Sequence, residues 1–181
     1  MRPVFGAAPD RRLLLTSILL PMLPDADALL APWIPYAHPL GHRGFTHSLF
    51  FAALAGTGAA ALAARGKWGH SFLKLAVFFA AITASHALFD AMTNGGLGIA
   101  FFAPFDNTRY FLPWRPIPVS PMSVAGLMTS RGFHVILWEL ALFWLFAIAA
   151  ALWDRRSAQR AVIAALLLIA GAVAWFQALC L

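Results

Sequence analysis

Three short stretches carry side chains that can do chemistry: His86-Ala87-Leu88-Phe89-Asp90, His42-Arg43-Gly44-Phe45-Thr46-His47-Ser48 and Pro24-Asp25-Ala26-Asp27. In the first, four residues of helix turn roughly 400°, so His86 and Asp90 share one face, one turn apart. An imidazole nitrogen and a carboxylate oxygen can then reach a single cation. The plainer alternative is a buried His–Asp hydrogen bond that pins two helices. Ionisable groups inside an apolar run are costly, however, and that cost points to function.

The two histidines of the second stretch would lie roughly 140° apart on a continuous helix, so no unbroken helix aims both at one ion. Gly44 permits a turn, and Thr46 is suited to capping a helix that begins near His47. His42 in the entry loop and His47 in the first turn then converge. Arg43 between them can pair with a phosphate or carboxylate on a substrate, or else belongs to a basic patch facing lipid headgroups. Asp25 and Asp27 repel each other unless a cation or a donor separates them, although Asp is also common in turns and caps. Asp106, Arg109, Tyr110 and Arg115 are suited to an anionic substrate or, equally, to headgroups. Glu139 is a further ligand or a partner to one. His38 reads as a loop residue and His134 as interfacial, with Trp33, Trp114 and Trp153 as interfacial anchors.

The elements that must position these groups are apolar helices. Hydrophobic residues make up 61% of the 181 and charged ones 11%, where a soluble domain carries about 25% charged. Four stretches approach the roughly 20 apolar residues that a bilayer-spanning helix needs: 46–64, 73–92, 133–153 and 161–181. A shorter run, 13–23, contains Pro21 and is expected to be a short or broken helix. The fold class expected is therefore all-α: a polytopic membrane bundle forming one domain, with a long Pro-rich outer loop over 93–132. Such a loop is too long to be structureless in a compact domain, and its prolines argue for an ordered cover.

Basic residues set the orientation. Arg65, Lys67 and Lys74 follow the first full span, Arg155, Arg156 and Arg160 the third, and Arg2, Arg11 and Arg12 precede the short run. All read as cytoplasmic, and the segments then alternate without conflict. Asp25, Asp27, His42, His47, His86 and Asp90 fall together at the opposite, non-cytoplasmic boundary, whereas His70 stands alone in a basic loop. The net charge of +6 is explained by these clusters and calls for no nucleic acid. The expected partners are membrane lipid and a lipid-like or anionic substrate; the oligomeric state is left open.

Mixed imidazole and carboxylate donors suit zinc, iron or manganese. Cys180, the only cysteine, allows neither an intrachain disulfide nor a thiolate cluster. Two or more ions could be held there, and a two-metal site would activate water and clamp the oxygens of a displaced phosphoryl or acyl group. Asp25 or Asp27 would assist as base, and Arg43, Arg109 and Arg115 would steady the anion. Two rivals stand beside this reading. One is a non-catalytic membrane protein with a structural or sensing metal site. The other is a transporter, disfavoured because Gln177 is the only polar side chain of the fourth span. No secretory signal peptide is expected at the start.

With these residues in view, the chain resembles the YdjM-type inner-membrane proteins, described as membrane-bound metal-dependent hydrolases. The motifs PDAD, HRGFTHS, HALFDAMTNGG and the PF…RYFLPWRPIPVSP loop carry the resemblance, in that order, across 13–121. That family in turn looks like a distant relative of zinc-dependent phospholipases C and related single-strand nucleases. Those are all-helical enzymes with clustered His and Asp ligands, including a His-x-x-x-Asp helix pair. The resemblance puts His86 and Asp90 in that pair and Asp25, Asp27, His42 and His47 in other ligand positions. It implies roughly one to three zinc ions and hydrolysis of a phosphoester in a lipid or envelope metabolite. Family members usually carry a further His in a first helix, and Met1–Ala8 holds none; this predicts an upstream start or a site short of one ligand.

Overall fold

Two prolines shape the first apolar segment. Helix α1, Arg11–Leu19, passes into a single 3-10 turn over Leu20–Met22 that contains Pro21, and a second 3-10 helix, Pro24–Leu30, opens on Pro24. Neither proline has an N–H to give, and each crowds the preceding turn. The chain bends by 52° between these helices, which is the broken helix that the sequence predicts at 13–23. Asp25 and Asp27 lie just beyond the bend. The computed structural model describes residues 11–64, 71–140, 162–163, 166–168 and 171.

A third 3-10 turn, Phe45–His47, leads into α2, Leu49–Ala64, and α3 follows over Phe72–Ala91. Helix α3 buries Leu75, Phe79, Thr83, Ala87 and Ala91 at every fourth position, a stripe running along one face. Leu73, Val77, Phe78, Leu88 and Phe89 stay exposed, so the rest of the surface is apolar as well, as a lipid-facing helix requires. Its 20 residues extend about 30 Å, the thickness of a bilayer's hydrocarbon core. Gly56 of α2 lies so close to α3 that a Cβ there would meet the Ala80 backbone, the small-residue contact by which membrane helices approach closely. Leu20, Ala60, Ala63, Leu75 and Phe79 form the core beside that contact.

The described residues divide into two compact units, Met1–Ala91 with Leu97–Leu112, and Met92–Gly96 with Pro113–Leu181. In the first, Ile99 and Tyr110 exchange both backbone hydrogen bonds (2.8 and 2.9 Å). The same segment closes two helix ends, because the Leu49 N–H donates to the Phe101 carbonyl and the Leu112 N–H to the Ala91 carbonyl. In the second unit, Thr93 pairs with Ile117, and the Val119 N–H donates to the Asn94 side chain. Two helices follow there, α4 (Val124–Leu127) and α5 (Ser130–Glu139), capped by Ser123 and Thr129. The stretch 93–132 is thus ordered, and it is divided between the units.

Four full spans were expected; among the described residues, one helix, Phe72–Ala91, is long and apolar enough to cross a membrane, or two if the bent pair counts as one. The expected span 46–64 is shorter because Thr46 and His47 belong to the 3-10 turn and Ser48 caps α2, its hydroxyl accepting from the Phe51 N–H at 3.0 Å. Lys74 sits in the first turn of α3 and not in a loop. Most of the spans 133–153 and 161–181 lies outside the described residues, as do Met1–Ala8, Arg65, Lys67, His70, Trp153, Arg155, Arg156, Arg160, Gln177 and Cys180. No β-strand occurs among the described residues.

Candidate metal centre

Asp25, Asp27, His42, His47, His86 and Asp90 all belong to the first unit and reach the centre from four local structures. Asp25 and Asp27 come from the Pro24–Leu30 helix, His47 from the turn before α2, and His86 and Asp90 from the last two turns of α3. His42 comes from the loop between, where Arg43 adopts φ 64°. That is the left-handed region that side chains rarely occupy. The reversal of the chain therefore happens at Arg43. Gly44 is needed for a different reason, since a Cβ on it would strike the Pro39 carbonyl. The result brings the His42 and His47 rings to 5.1 Å between centroids, and His47 and His86 to the same distance.

At the middle, His47 Nε2 is buried and makes no hydrogen bond. It faces Asp25 Oδ1 and Asp90 Oδ2, each at 3.4 Å. His86 Nε2 lies 3.2 Å from the same Asp25 oxygen and 3.7 Å from the same Asp90 oxygen. Zinc bonds of about 2.0–2.1 Å in a tetrahedron put neighbouring ligand atoms about 3.3 Å apart. The four measured separations match that spacing, so the donor set fits a divalent ion. An overlapping quartet, Asp25, His42, His47 and Asp90, also offers ligand atoms within 4.8 Å of one another. His86 adds a fifth donor beside that quartet, 3.2 Å from Asp25 and 3.7 Å from Asp90.

Asp27 and Arg43 stand behind these donors. The His42 Nδ1–H donates to Asp27 Oδ1 at 2.7 Å, and the Thr46 hydroxyl donates to Asp27 Oδ2. His47 Nδ1 lies 3.3 Å from Asp27 Oδ2 and 3.1 Å from the Thr46 oxygen. Arg43 is 3% exposed, and its Nη2 donates to Asp90 Oδ1 at 3.3 Å. Arg43, expected against a substrate anion, is buried against the Asp90 carboxylate. Burial alone would push the His47 imidazole down, but its carboxylate neighbours Asp25, Asp27 and Asp90 outweigh burial and raise it to about 10. In the metal-free centre this ring is therefore an imidazolium.

Arg109 is also committed elsewhere. Its guanidinium donates to the carbonyls of His42, Tyr36 and His38 at 2.9, 3.0 and 3.2 Å and sits over the Tyr36 ring. It straps the segment that carries His42. Tyr110 donates to Asp106 at 3.2 Å, on an exposed tip where the Thr108 hydroxyl and amide hold the Asp106 carboxyl below the usual range. Arg115 and Glu139 belong to the second unit, and so does His134, which accepts from the Trp138 indole. Exposed His38 accepts from the Leu40 N–H.

Sequence reasoning missed Tyr36, whose ring packs edge-on against His42, and it read Thr46 as a helix cap. The neighbouring Ser48, three residues before the Phe51 amide, was the available signal for the true cap.

Comparison with known proteins adds three findings. A family model described as YdjM inner membrane protein matches residues 3–178. The inner membrane protein YbcI of Escherichia coli (strain K12) is 37% identical over 149 residues, which cover 80% of this chain and 85% of that protein. No solved structure matches.

Proposed function

The chain belongs to the YdjM inner membrane protein family, and on that premise we propose that it is a membrane-bound, metal-dependent hydrolase. Its substrate in this reading is a phosphoester of a lipid or envelope metabolite, and its ion is zinc. The observation that carries the reading is His47 Nε2, a buried nitrogen without a hydrogen bond that faces two carboxylate oxygens at 3.4 Å. A ring nitrogen and two carboxylate oxygens converging at this spacing leave a position between them that suits a cation, which would take the place of the proton on the ring. Asp25, His47, His86 and Asp90 would hold the ion, with His42 beside them. Bound there, it would supply Lewis-acid polarisation of a phosphoryl oxygen and activation of water.

The protein's own groups divide the remaining work. Asp25 is the one opening: 51% of its side chain is exposed, against 19–20% for His86 and Asp90. A substrate meets that carboxylate first, and Asp25 would assist by accepting a hydrogen bond from the attacking water and orienting it. Arg43 holds Asp90 in register, and Arg109 holds the loop of His42; neither meets the substrate. The centre lies on the non-cytoplasmic side. Arg11 and Arg12 begin α1, and Lys74 begins α3, whereas the Asp and His groups stand at the far ends of the same segments. The positive-inside rule then sends the centre outward.

Purified protein in lipid nanodiscs, offered phosphodiester and phosphomonoester lipids, tests this reading. Turnover abolished by a chelator and restored by zinc is expected. Turnover that survives chelation contradicts it. Bound metal without turnover on any phosphoester would favour a structural or sensing site, a reading supported by the deep burial of His47.

A further inference from the structure

Of the acidic groups at the centre, Asp27 is placed unlike the others. Its side chain is fully buried, whereas Asp25 opens to the surface. Both of its oxygens face the Nδ1 atoms of imidazoles, Oδ1 toward His42 and Oδ2 toward His47. The atoms around the ion position are Nε2 of His47 and Nε2 of His86. Nδ1 and Nε2 point out of opposite sides of an imidazole ring. A group bonded to Nδ1 of His47 is therefore behind the ring as seen from an ion at its Nε2.

The hydrogen-bond inventory fixes which nitrogen of His47 carries a proton. Nδ1 has two oxygens near it, Thr46 Oγ1 at 3.1 Å and Asp27 Oδ2 at 3.3 Å. The Thr46 hydroxyl proton is already given to Asp27, so Thr46 can only accept from His47, and a carboxylate accepts in any case. Nδ1 must then be the N–H. Nε2, aimed at Asp25 and Asp90, is then the nitrogen that gives up the second proton of the imidazolium and offers its lone pair when a cation arrives. The hydrogen bond on one ring nitrogen decides which nitrogen is metallated, and carboxylates commonly play that part behind metal-bound histidines.

We infer that Asp27 is a positioning residue and not a ligand: directly and through Thr46, it locks His47 with Nδ1 protonated and Nε2 presented to a divalent cation held by Asp25, His86 and Asp90. The inference rests on the metal-site reading above and departs from the ligand set that the family resemblance implies. Asp27 grips His42 through the same kind of bond, so one buried carboxylate aligns two imidazoles.

Metal binding tests it without any assay of turnover. Zinc and cobalt(II) are titrated into metal-stripped wild type, Asp27→Asn, Asp90→Asn and Thr46→Val, and the cobalt absorption bands report the coordination number. Asp27→Asn is expected to keep the wild-type stoichiometry and cobalt spectrum while binding about 10–100-fold more weakly. Asp90→Asn is expected to change the spectrum. If Asp27→Asn loses an equivalent of metal or changes the cobalt bands as Asp90→Asn does, Asp27 is a ligand and the inference is overturned. Unchanged affinity overturns it as well.

Should Asp27→Asn fail to fold, Thr46→Val, which removes only the relay, is expected to weaken binding with an unaltered spectrum; unaltered affinity counts against the inference. In wild type loaded with zinc, nitrogen-15 NMR of labelled histidine is expected to show His47 protonated at Nδ1 and coordinated at Nε2, and the reverse assignment is decisive against it. Wild type that binds neither ion would sink the metal-site reading itself, and this inference with it. Wild type that binds, with Asp27→Asn behaving as a lost ligand, sinks the inference alone.

Discussion

At the scale of the residue, the centre pits a metal ion against a proton. His47 in the metal-free centre is raised to about 10 from an ordinary value of 6.5, so at pH 7 it holds a proton that an ion must displace. Metal binding at pH 7 is therefore expected to release a proton, with affinity rising as pH climbs from 7 toward 10. Calorimetry in buffers of different ionisation enthalpy measures the release; heats independent of the buffer would contradict it. Folding of the metal-free protein has the opposite sign: the charged ring stabilises it below 6.5, and that contribution is lost as pH rises through about 10. The four-residue spacing of His86 and Asp90 made their shared face legible in the sequence. The division of labour between Asp25 and Asp27 was not legible, because two residues of the same type differ only in burial, which the 3-10 helix decides. The partners of Arg43 and Arg109 in the structure were not legible for a related reason. An arginine that serves an internal carboxylate or a set of carbonyls looks, in sequence, like one that serves a substrate.

At the scale of the element, the centre depends on α2 and α3 staying close enough for the turn before α2 to face the end of α3. Gly56 sets that approach, since any Cβ there meets the Ala80 backbone, whereas Gly58, two residues on, has open space around it. Gly56→Leu is expected to lower stability by at least about 1–3 kcal/mol through overpacking and to weaken metal binding with it. Gly58→Leu, on the same helix, is expected to leave both nearly unchanged. Thermal unfolding in detergent with and without zinc makes the comparison, and equal effects from the two variants would contradict this account of the helix contact. The sequence marks the apolar runs and their proline breaks clearly. It does not mark where α2 begins, because Thr46 and Ser48 are both good caps and the choice is made by Asp27, which takes the Thr46 hydroxyl. It likewise shows an ordered loop over 93–132 but not its partition, since the pairing of Ile99 with Tyr110 and of Thr93 with Ile117 leaves no strand-length pattern.

At the scale of the whole molecule, the chain is an inner-membrane family member in which, among the described residues, Arg11, Arg12 and Lys74 begin α1 and α3 while the His/Asp groups stand at the other ends of those segments. With Cys180 replaced by serine, a cysteine placed at exposed Trp33 or His38 is expected to react with a membrane-impermeant thiol reagent added from outside spheroplasts, and one placed at Lys67 is not. The opposite pattern would turn the centre toward the cytoplasm. The expectation of this polarity comes from charge clusters, because membrane topology is written in residue type; the convergence of the six groups depended on turns that residue type alone does not specify. The central claim is that the His/Asp cluster exists to hold a cation. Elemental analysis of the purified wild-type protein beside His47→Ala tests it most directly. The claim predicts stoichiometric divalent metal, zinc foremost, in wild type and its loss from a folded His47→Ala; a wild-type protein free of metal after purification without chelator and after exposure to zinc would contradict it.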